Sequence, residues 1–425
     1  MLRTLHFFVL LVFLLAACAS NTQPEPTPLP TATPQAAPPV QQAPPLELTM
    51  WHTWTGRGAQ VLDLLARRYE QGHPNTRINL QARPAASLVR DYSASVANGS
   101  APQLLLVLSR YVGELADRRH ILPLDGQIAD ATLSDVLAPA LDGARAVGRL
   151  HGMPLSYDSL VLFYDRRQIA EAPVTIDQLL AYVPPAAEPA AEQALPTSRG
   201  LAFHLSAASA LPYLPTFDGA VFEPDGAVGL DSTRREGTVR WLEWLQSLRA
   251  NSRAYATEDF GAVDAMIQSN RIAASIDWTY RMPAYEQLWG KEAVGITALP
   301  RIDGQSPVPS TFLLSDVLCI NTVTSAQQRA AATDFLAYLS GLEAQELLWT
   351  RGGQQPVNQA ARVEGSAVDV ASAGSTGVAF PNSVADGRAW PVLDEMVRSA
   401  LAGSVTAVEA METAASRLRE IDQRQ

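Results

Sequence analysis

Apolar and polar positions follow two different periods along the chain after residue 45. The segment LELTMW, which begins at Leu46, has apolar residues at alternate positions, as in a strand with one buried face. Residues 59–70 carry apolar side chains three or four positions apart, which predicts an amphipathic helix that ends at Gly72. A second strand follows around Ile78, and QLLLVL at 103–108 is an unbroken apolar run suited to a strand buried on both faces.

The succession of strand, helix and strand predicts an α/β fold with a largely parallel sheet. Three later helices have a predicted start at Thr175, Ser325 and Thr406, because each hydroxyl precedes a hydrogen-bond acceptor by three positions. Asp-Gly pairs within residues 217–230 predict a β-hairpin. Residues 183–200 are low in sequence complexity, which indicates a surface insertion.

An apolar run near the start of the chain has the layout of a secretory signal. Residues 5–15 follow Arg3 and are too few for the about 20 residues that span a bilayer. Leu-Ala-Ala-Cys at 15–18 resembles the lipobox of bacterial lipoproteins, which implies a signal peptide at 1–17 and a lipidated Cys18. An ordinary signal peptide is the alternative.

The next segment, residues 18–45, is nearly all Pro, Thr, Ala, Gln and Ser after its first residue. It lacks the apolar side chains that would offset the entropy of ordering, so we predict a disordered linker between a membrane surface and the folded part. A lipid on Cys18 would anchor the protein without spanning the membrane.

Charge and cysteine content narrow the class of protein. Acidic residues outnumber basic ones to give a net charge of −11, and Lys and Arg form no block, which excludes nucleic acid as an expected partner. Of the two cysteines, Cys18 is assigned to lipid, so Cys319 is expected to fill space in the core. The remaining about 380 residues suffice for two domains.

Motifs of catalysis and cofactor binding are missing from the sequence. GRGAQV at Gly56 fails as a dinucleotide fingerprint because Val61 replaces the third glycine, and it is better interpreted as a turn before a helix. There is no P-loop, GxSxG or HExxH segment, and the histidines lack metal-ligand spacing. We therefore expect no cofactor, no metal and no enzymatic activity.

Aromatic residues instead occur at strand ends and helix starts, where α/β folds keep their ligand crevices. Trp51 and Trp54 close the first strand, Trp278 closes the strand IAASIDW, and Trp390 lies at the entry of a helix. Tryptophans 241 and 244 lie among leucines at helical spacing, which predicts packing.

Taken in order, several segments resemble an extracellular solute-binding protein of the maltose-binding type, the lipoprotein receptor of an ABC sugar importer. They span most of the chain after Leu46, and each is weakly specific alone. These segments are MWHTW, LADRRHILPLDGQI, VGRLHGMPLSYDSLVLFYDRRQI, FDGAVFEPDGAVGLDS, GITALPRIDG, AAATDFLAYLSGLEAQELL and WPVLDEMVRSALAGSVTAVEAMETA.

The resemblance implies two α/β lobes joined by hinge crossings, with the ligand in the cleft between them. By position, lobe 1 would comprise residues 46–150 and 301–348, the crossing 151–163, and lobe 2 residues 164–299 and 351–425. The segment before Gly200 and the strand STFLLSDVLCI depart from the pattern of the family.

The resemblance also implies a set of ligand contacts. An indole ring offers a flat apolar face to the C–H side of a sugar ring, while carboxylates accept hydrogen bonds from hydroxyls. For each residue the alternative is a structural role in core packing, hinge geometry or turn capping. The expected ligand-binding residues are Trp51, Trp54, Arg110, Tyr157, Asp158, Asp218, Gly219, Asp277, Trp278 and Trp390.

The expected function is to capture a sugar or oligosaccharide and to deliver it to the permease subunits of an ABC transporter. The protein is expected to be a monomer, anchored by lipid at the outer face of the cytoplasmic membrane. One alternative is the same fold with a non-sugar solute. Another is a lipid-anchored carbohydrate-active enzyme, which would need two carboxylates about 5 to 9.5 Å apart across the scissile bond.

Overall fold

A computed structural model describes residues 45–182, 199–223, 225–362, 377–382 and 384–422, except for the side chains of residues 384–386 and 422. The predicted signal peptide, lipidated Cys18 and most of the linker lie outside these residues, as does most of the predicted insertion at 183–200. Within the described ranges, no helix has both the length and the apolar character needed to cross a membrane.

The strands are β1 (Leu46–His52), β2 (Thr76–Ala82), β3 (Leu104–Leu108), β4 (Arg145–Ala146), β5 (Arg149–Leu150), β6 (Met153–Asp165), β7 (Arg199–His204), β8 (Ala254–Thr257), β9 (Ile272–Trp278), β10 (Val294–Thr297), β11 (Phe312–Ile320) and β12 (Val378–Ala379). The helices are α1 (Gly56–Gly72), α2 (Leu88–Ala97), α3 (Val112–Asp117), α4 (Asp130–Ser134), α5 (Ala138–Gly143), α6 (Ile176–Ala181), α7 (Ala207–Ala210), α8 (Arg235–Ala250), α9 (Phe260–Gln268), α10 (Met282–Trp289), α11 (Ala326–Ser340), α12 (Leu342–Gly352), α13 (Val384–Ala402) and α14 (Ala407–Asp422). Short 3-10 helices occupy Ser109–Tyr111, Leu211–Phe217, Thr279–Arg281 and Lys291–Ala293.

In the part of the chain that the structure describes, ten strands form one sheet in the order β2-β1-β3-β11-β6-β9-β7-β8, with β12 beside β11 and β10 beside β6. Strands β1, β2 and β3 are parallel to one another, and so are β7, β8 and β9. Between these two parallel groups, β6 and β11 pair antiparallel with each other. The predicted α/β class is therefore confirmed, but the sheet is mixed and not largely parallel, because β11 also runs antiparallel to β3 and β6 runs antiparallel to β9.

Local sequence signals account for the elements that were predicted. In β1 the alternation buries Leu48, Met50 and His52 on one face of the sheet. The capping boxes at Thr175 and Ser325 are both formed, with the hydroxyl accepting from the backbone N–H three residues on. At α14, Thr406 and Glu409 exchange the same pair of hydrogen bonds.

Among the described residues, three groups of buried apolar side chains form the cores. The first core lies among β1, β3, α1, α11 and α12, the second among β7, α8, α13 and α14, and the third among α9, α10 and β10. Cys319 and Trp241 are fully buried, and Trp244 packs against the second core, as predicted. The predicted hairpin region contains an antiparallel bridge between Phe222 and Val228.

Strand β6 passes from the first core to the second and third cores. Tyr157 belongs to the first core, whereas Leu160 belongs to the second and Val161 to the third. The crossing thus occurs around Asp158. Val357 packs in the first core, although the predicted lobe boundaries had placed residues 351–425 with the second lobe.

Candidate functional site

A cavity of about 830 Å³ lies between helices α1 and α12 of the first core and the segment 279–291, whose Met282 belongs to the third core. Asp158, at the crossing of β6, forms part of its wall, and Trp349 of α12 packs against the third core beside it. The wall from the first-core side comprises Arg57, Arg68, Glu343, Glu346, Leu347, Trp349, Thr350, Gly352, Gly353, Gln354, Gln355 and Arg362, and the opposite wall comprises Thr279, Tyr280, Met282, Pro283, Glu286 and Lys291.

Asp158 is the aspartate in the wall of this cavity. Its Oδ1 accepts a hydrogen bond of 2.9 Å from the Thr279 hydroxyl, which itself accepts from the backbone N–H of Ser159 at 3.0 Å. Burial and the nearby charge of Asp316 raise the pKa of Asp158 to about 7, against the opposing effect of its hydrogen bonds from Thr279 and the backbone of Tyr280. The site thus holds a carboxyl group that changes charge near neutral pH.

Asp316 is a second buried carboxylate, on the neighbouring strand β11. Its Oδ2 accepts a hydrogen bond of 2.8 Å from the Ser156 hydroxyl. Burial raises the pKa of Asp316, while the approach of the Trp54 indole and the bond from Ser156 oppose that rise. The indole N–H of Trp54 is buried and makes no hydrogen bond of normal geometry.

The strand register explains why the two carboxylates lie near each other. Asp158 pairs with Leu314, and Asp316 pairs with Ser156. Residues opposite each other in an antiparallel pair share a face, as do residues two apart in one strand, so both carboxylates lie on one face of the crossing. Asp158 and Leu314 are half-buried, whereas Tyr157 and Ser159 on the other face are buried. Of the residues on the Asp158 face, Asp158 itself reaches the wall of the cavity.

Charges on the wall of the cavity are mixed. Four basic side chains and four acidic ones, Asp158 included, line it. One of each sign, Arg68 and Glu343, form a salt bridge of 2.8 Å. Because neither sign dominates, the wall is better matched to a polar, uncharged ligand than to an ion.

Two predicted residues meet at a second, smaller cavity of about 290 Å³, to which Gly219 and Trp390 both contribute. Trp390 stacks on Phe380 with ring centroids 4.6 Å apart. A Cβ on Gly219 would lie 2.2 Å from the end of the Leu214 side chain, so a larger residue at this position would have to displace that side chain.

Trp51 makes contacts within the first lobe and lines neither cavity. Its indole N–H donates to Gln81 Oε1 at 3.0 Å, and the Arg83 guanidinium lies 4.2 Å from its ring centroid. Its ring also meets the edge of Tyr92 at 6.4 Å. In this structure the Trp51 side chain therefore packs against its neighbours Gln81, Arg83 and Tyr92.

Asp277 and Trp278, at the end of β9, also lie outside the walls of both cavities. The Asp277 carboxylate is buried and accepts from the Tyr285 hydroxyl at 2.9 Å and from the backbone N–H of Trp278 at 2.8 Å. Burial raises the pKa of Asp277. Trp278 packs against the second core.

The other three predicted residues are likewise absent from both walls. Arg110 stacks its guanidinium over the Tyr111 ring at 4.6 Å and donates to that residue's hydroxyl. Tyr157 is buried, and burial together with Asp158 raises its pKa to about 12. Asp218 is exposed and forms a salt bridge of 2.7 Å with Arg234.

Residues that sequence reasoning missed complete the larger cavity. Thr279 and Gln354 line its wall and were not predicted, and neither was Asp316, which lies behind Asp158 and outside the wall. Asp316 could have been noticed as a charged residue inside the apolar run FLLSDVLCI, but its proximity to Asp158 depends on a strand pairing 160 residues apart in sequence. Within the described ranges, no three His, Cys, Asp or Glu side chains are arranged to hold a metal ion.

The chain is similar in sequence to known solute-binding proteins. The family model for bacterial extracellular solute-binding proteins matches residues 65–372. A maltotriose-binding protein of Pyrococcus abyssi is 23% identical over 133 residues, an alignment that covers 31% of this chain and only 29% of that protein.

Solved structures share the fold at low identity. The Bdellovibrio bacteriovorus maltose/maltodextrin-binding domain bound to maltotriose aligns with a TM-score of 0.73 and 20% identity, covering 89% of this chain and 100% of that chain. The Thermus thermophilus maltotriose-binding protein bound with maltotriose aligns with a TM-score of 0.72 and 19% identity, covering 88% and 99%. This likeness confirms the predicted two-lobed α/β fold.

Proposed function

The chain belongs to the bacterial extracellular solute-binding proteins, as predicted, and we propose that it captures a sugar or oligosaccharide between its lobes and delivers it to the permease of an ABC transporter. The maltotriose-binding relative and the maltotriose-bound structures support a maltooligosaccharide as the first ligand to test.

The observation that carries the proposal is the cavity of about 830 Å³ between the cores, with Asp158 in its wall. A sugar ring needs hydrogen-bond acceptors and donors in one enclosed space, and the wall offers a carboxylate together with the polar side chains of Thr279 and Gln354. Walls from different cores can approach one another, and a ligand that contacts both stabilises the closed arrangement by its differential affinity.

Of the ten residues expected to contact ligand, Asp158 has the best support from the geometry. Gly219 and Trp390 line the smaller cavity, and the Trp54 indole lies near Asp316 without a hydrogen bond of normal geometry. The contacts of Trp51, Arg110, Tyr157, Asp218, Asp277 and Trp278 within the fold favour structural roles in the arrangement described here.

Isothermal titration calorimetry with maltotriose tests the proposal. Wild-type protein is expected to bind, and Asp158→Ala is expected to lose about tenfold or more in affinity, because hydrogen bonds to a charged group contribute about 1.5–3 kcal/mol. Asp303→Ala, an exposed aspartate outside the cavity wall, is the matched control and should bind like wild type. Absence of binding by maltotriose and by a wider sugar panel would favour the non-sugar alternative.

We propose further that the protein releases the bound sugar without any chemical change. Asp316 is only 7% exposed and does not line the cavity, so it is poorly placed to act with Asp158 on opposite sides of a glycosidic bond. Chromatography of maltotriose after prolonged incubation with the protein should recover it intact. Release of glucose or maltose would instead support a carbohydrate-active enzyme.

Anchoring through lipid on Cys18 is also part of the proposal and rests on the lipobox resemblance. Metabolic labelling of a bacterial expression host with palmitate should label the wild-type protein but not Cys18→Ser. Equal labelling of both would refute lipidation at this residue.

A further inference from the structure

Helices α1 and α12 come close together at two glycines, Gly58 and Gly352. A Cβ on Gly352 would lie 3.7 Å from the Cα of Gly58 and 3.6 Å from the Cβ of Val61. Gly58 is buried in the first turn of α1, and Gly352 is the last residue of α12. The start of one helix and the end of the other therefore meet beside the larger cavity, to whose wall Gly352 contributes.

The side chain of Gln354 lies against both glycines. A Cβ on Gly58 would lie 2.8 Å from Nε2 of Gln354, and the three heavy atoms nearest to that Cβ all belong to Gln354. A Cβ on Gly352 would lie 3.6 Å from the Cγ of the same side chain. The backbone N–H of Gln354 donates to the Leu348 carbonyl at 3.0 Å. The amide of Gln354 therefore rests on α1 at a position where glycine leaves room for it.

Gln354 and Asp158 both line the larger cavity. An antiparallel bridge joins Pro356 to Ser156 of β6. Two residues along each chain from this bridge, Gln354 lies opposite Asp158, and opposite residues share a face. Gln354 is only half-buried, so its amide is accessible from the cavity. The structure thus places an amide beside the carboxyl group of the crossing.

Two neighbouring hydroxyl groups of a sugar ring match this pair of side chains. One hydroxyl can donate to the Asp158 carboxylate, and the next can donate to or accept from the Gln354 amide, which has both kinds of polar atom. A glutamine side chain loses much conformational freedom when a ligand fixes it, so it contributes more to affinity if the protein holds it in place beforehand. Contact with Gly58 and Gly352 restricts Gln354 in this way.

We propose that Gly58 is a positioning residue for ligand binding, because it lets the Gln354 amide lie on α1, where the amide and Asp158 together select ligands with a pair of neighbouring hydroxyl groups. This inference rests on the proposed sugar-binding function and adds a specificity-determining residue to it. It also gives a role to the second glycine of the segment GRGAQV, which fails as a dinucleotide fingerprint.

Calorimetry with maltotriose on a double-mutant cycle of Gly58→Ala and Gln354→Ala tests this inference. Each single variant is expected to bind about three- to tenfold more weakly than wild type, because one hydrogen bond to the ligand is lost or weakened. In the Gln354→Ala background, Gly58→Ala should cause no further loss, because the side chain that it would displace is already absent. Gly72→Ala, at the other end of α1 with open space around its Cβ, is the control and should bind like wild type.

Thermal unfolding followed by circular dichroism separates positioning from damage to the fold. Gly58→Ala is expected to unfold at the same temperature as wild type or at a higher one, because the end of a glutamine side chain can move aside and alanine favours a helix. Wild-type affinity of either single variant, an equal loss from Gly58→Ala in both backgrounds, or a lowered unfolding temperature of Gly58→Ala overturns this inference but leaves the sugar-binding function standing. If wild-type protein binds neither maltotriose nor the wider sugar panel, the proposed function fails as well.

Discussion

Asp158→Asn tests whether the crossing carries a carboxyl group whose ionisation is disfavoured by the folded state. Burial and Asp316 raise the pKa of Asp158 from 3.8 to about 7 in the native protein, whereas in the unfolded chain it returns to about 3.9. The native state therefore binds more protons than the unfolded state between these values. The resulting stabilisation is complete below about pH 4 and is lost as the pH rises through about 7.

The size of this effect follows from the shift. One pKa unit corresponds to about 1.36 kcal/mol, so the full shift corresponds to about 4 kcal/mol. Because Asp158 is half-buried in the wall of the larger cavity, water weakens the effect, and we expect about 2–4 kcal/mol. Asparagine keeps the acceptor for the Thr279 hydroxyl but cannot ionise. The free energy of unfolding of the variant should therefore rise by this amount relative to that of wild type as the pH rises.

Urea unfolding followed by circular dichroism, at about pH 4.5 and about pH 8, measures the effect. The free energy of unfolding of Asp158→Asn minus that of wild type should be larger at the higher pH. Asp303→Asn serves as the control for loss of an exposed carboxylate and should show little change between the two conditions. A difference that is the same at both pH values for Asp158→Asn would refute the reasoning about its pKa.

Three further predictions concern the fold that positions the site. The buried Gln345 amide donates hydrogen bonds to two backbone carbonyls, at 3.0 and 2.9 Å, and accepts one from a backbone N–H at 2.8 Å. Gln345→Ala should therefore lower the free energy of unfolding in urea by about 3–5 kcal/mol. A loss below about 1 kcal/mol would contradict this role. Gly152→Ala should lower the free energy of unfolding by about 1–3 kcal/mol, because its Cβ would lie 2.5 Å from a β11 side chain. The control Gly72→Ala has open space around the new Cβ and should lack this clash. Equal stability of the two variants would argue against close packing at Gly152. The Cys319 thiol is fully buried, and this burial raises its pKa. In a Cys18→Ser variant, it should therefore react with a disulfide reagent only after unfolding. Rapid reaction of the native protein would show that β11 is more open than described.

Sequence alone predicted features that depend on neighbouring residues. The capping boxes at Thr175, Ser325 and Thr406 were predictable because donor and acceptor lie three positions apart. The face of β1 that is buried was likewise readable from its alternation. The class of fold followed from the order of such elements.

Contacts set by strand pairing could not be predicted in this way. The hydrogen bond from the Trp51 indole to Gln81, for example, follows from the parallel register of β1 and β2. The approach of Asp316 to Asp158 depends on the antiparallel register of β6 and β11. No local period encodes a register between strands far apart in sequence.

A crystal structure of the protein grown with maltotriose tests the central claim most directly. The account predicts an intact sugar in the gap between the lobes, with its hydroxyls within hydrogen-bond distance of the Asp158 carboxylate and contacts to residues of both walls. Maltotriose bound only on the outer surface, or cleaved within the gap, would contradict it.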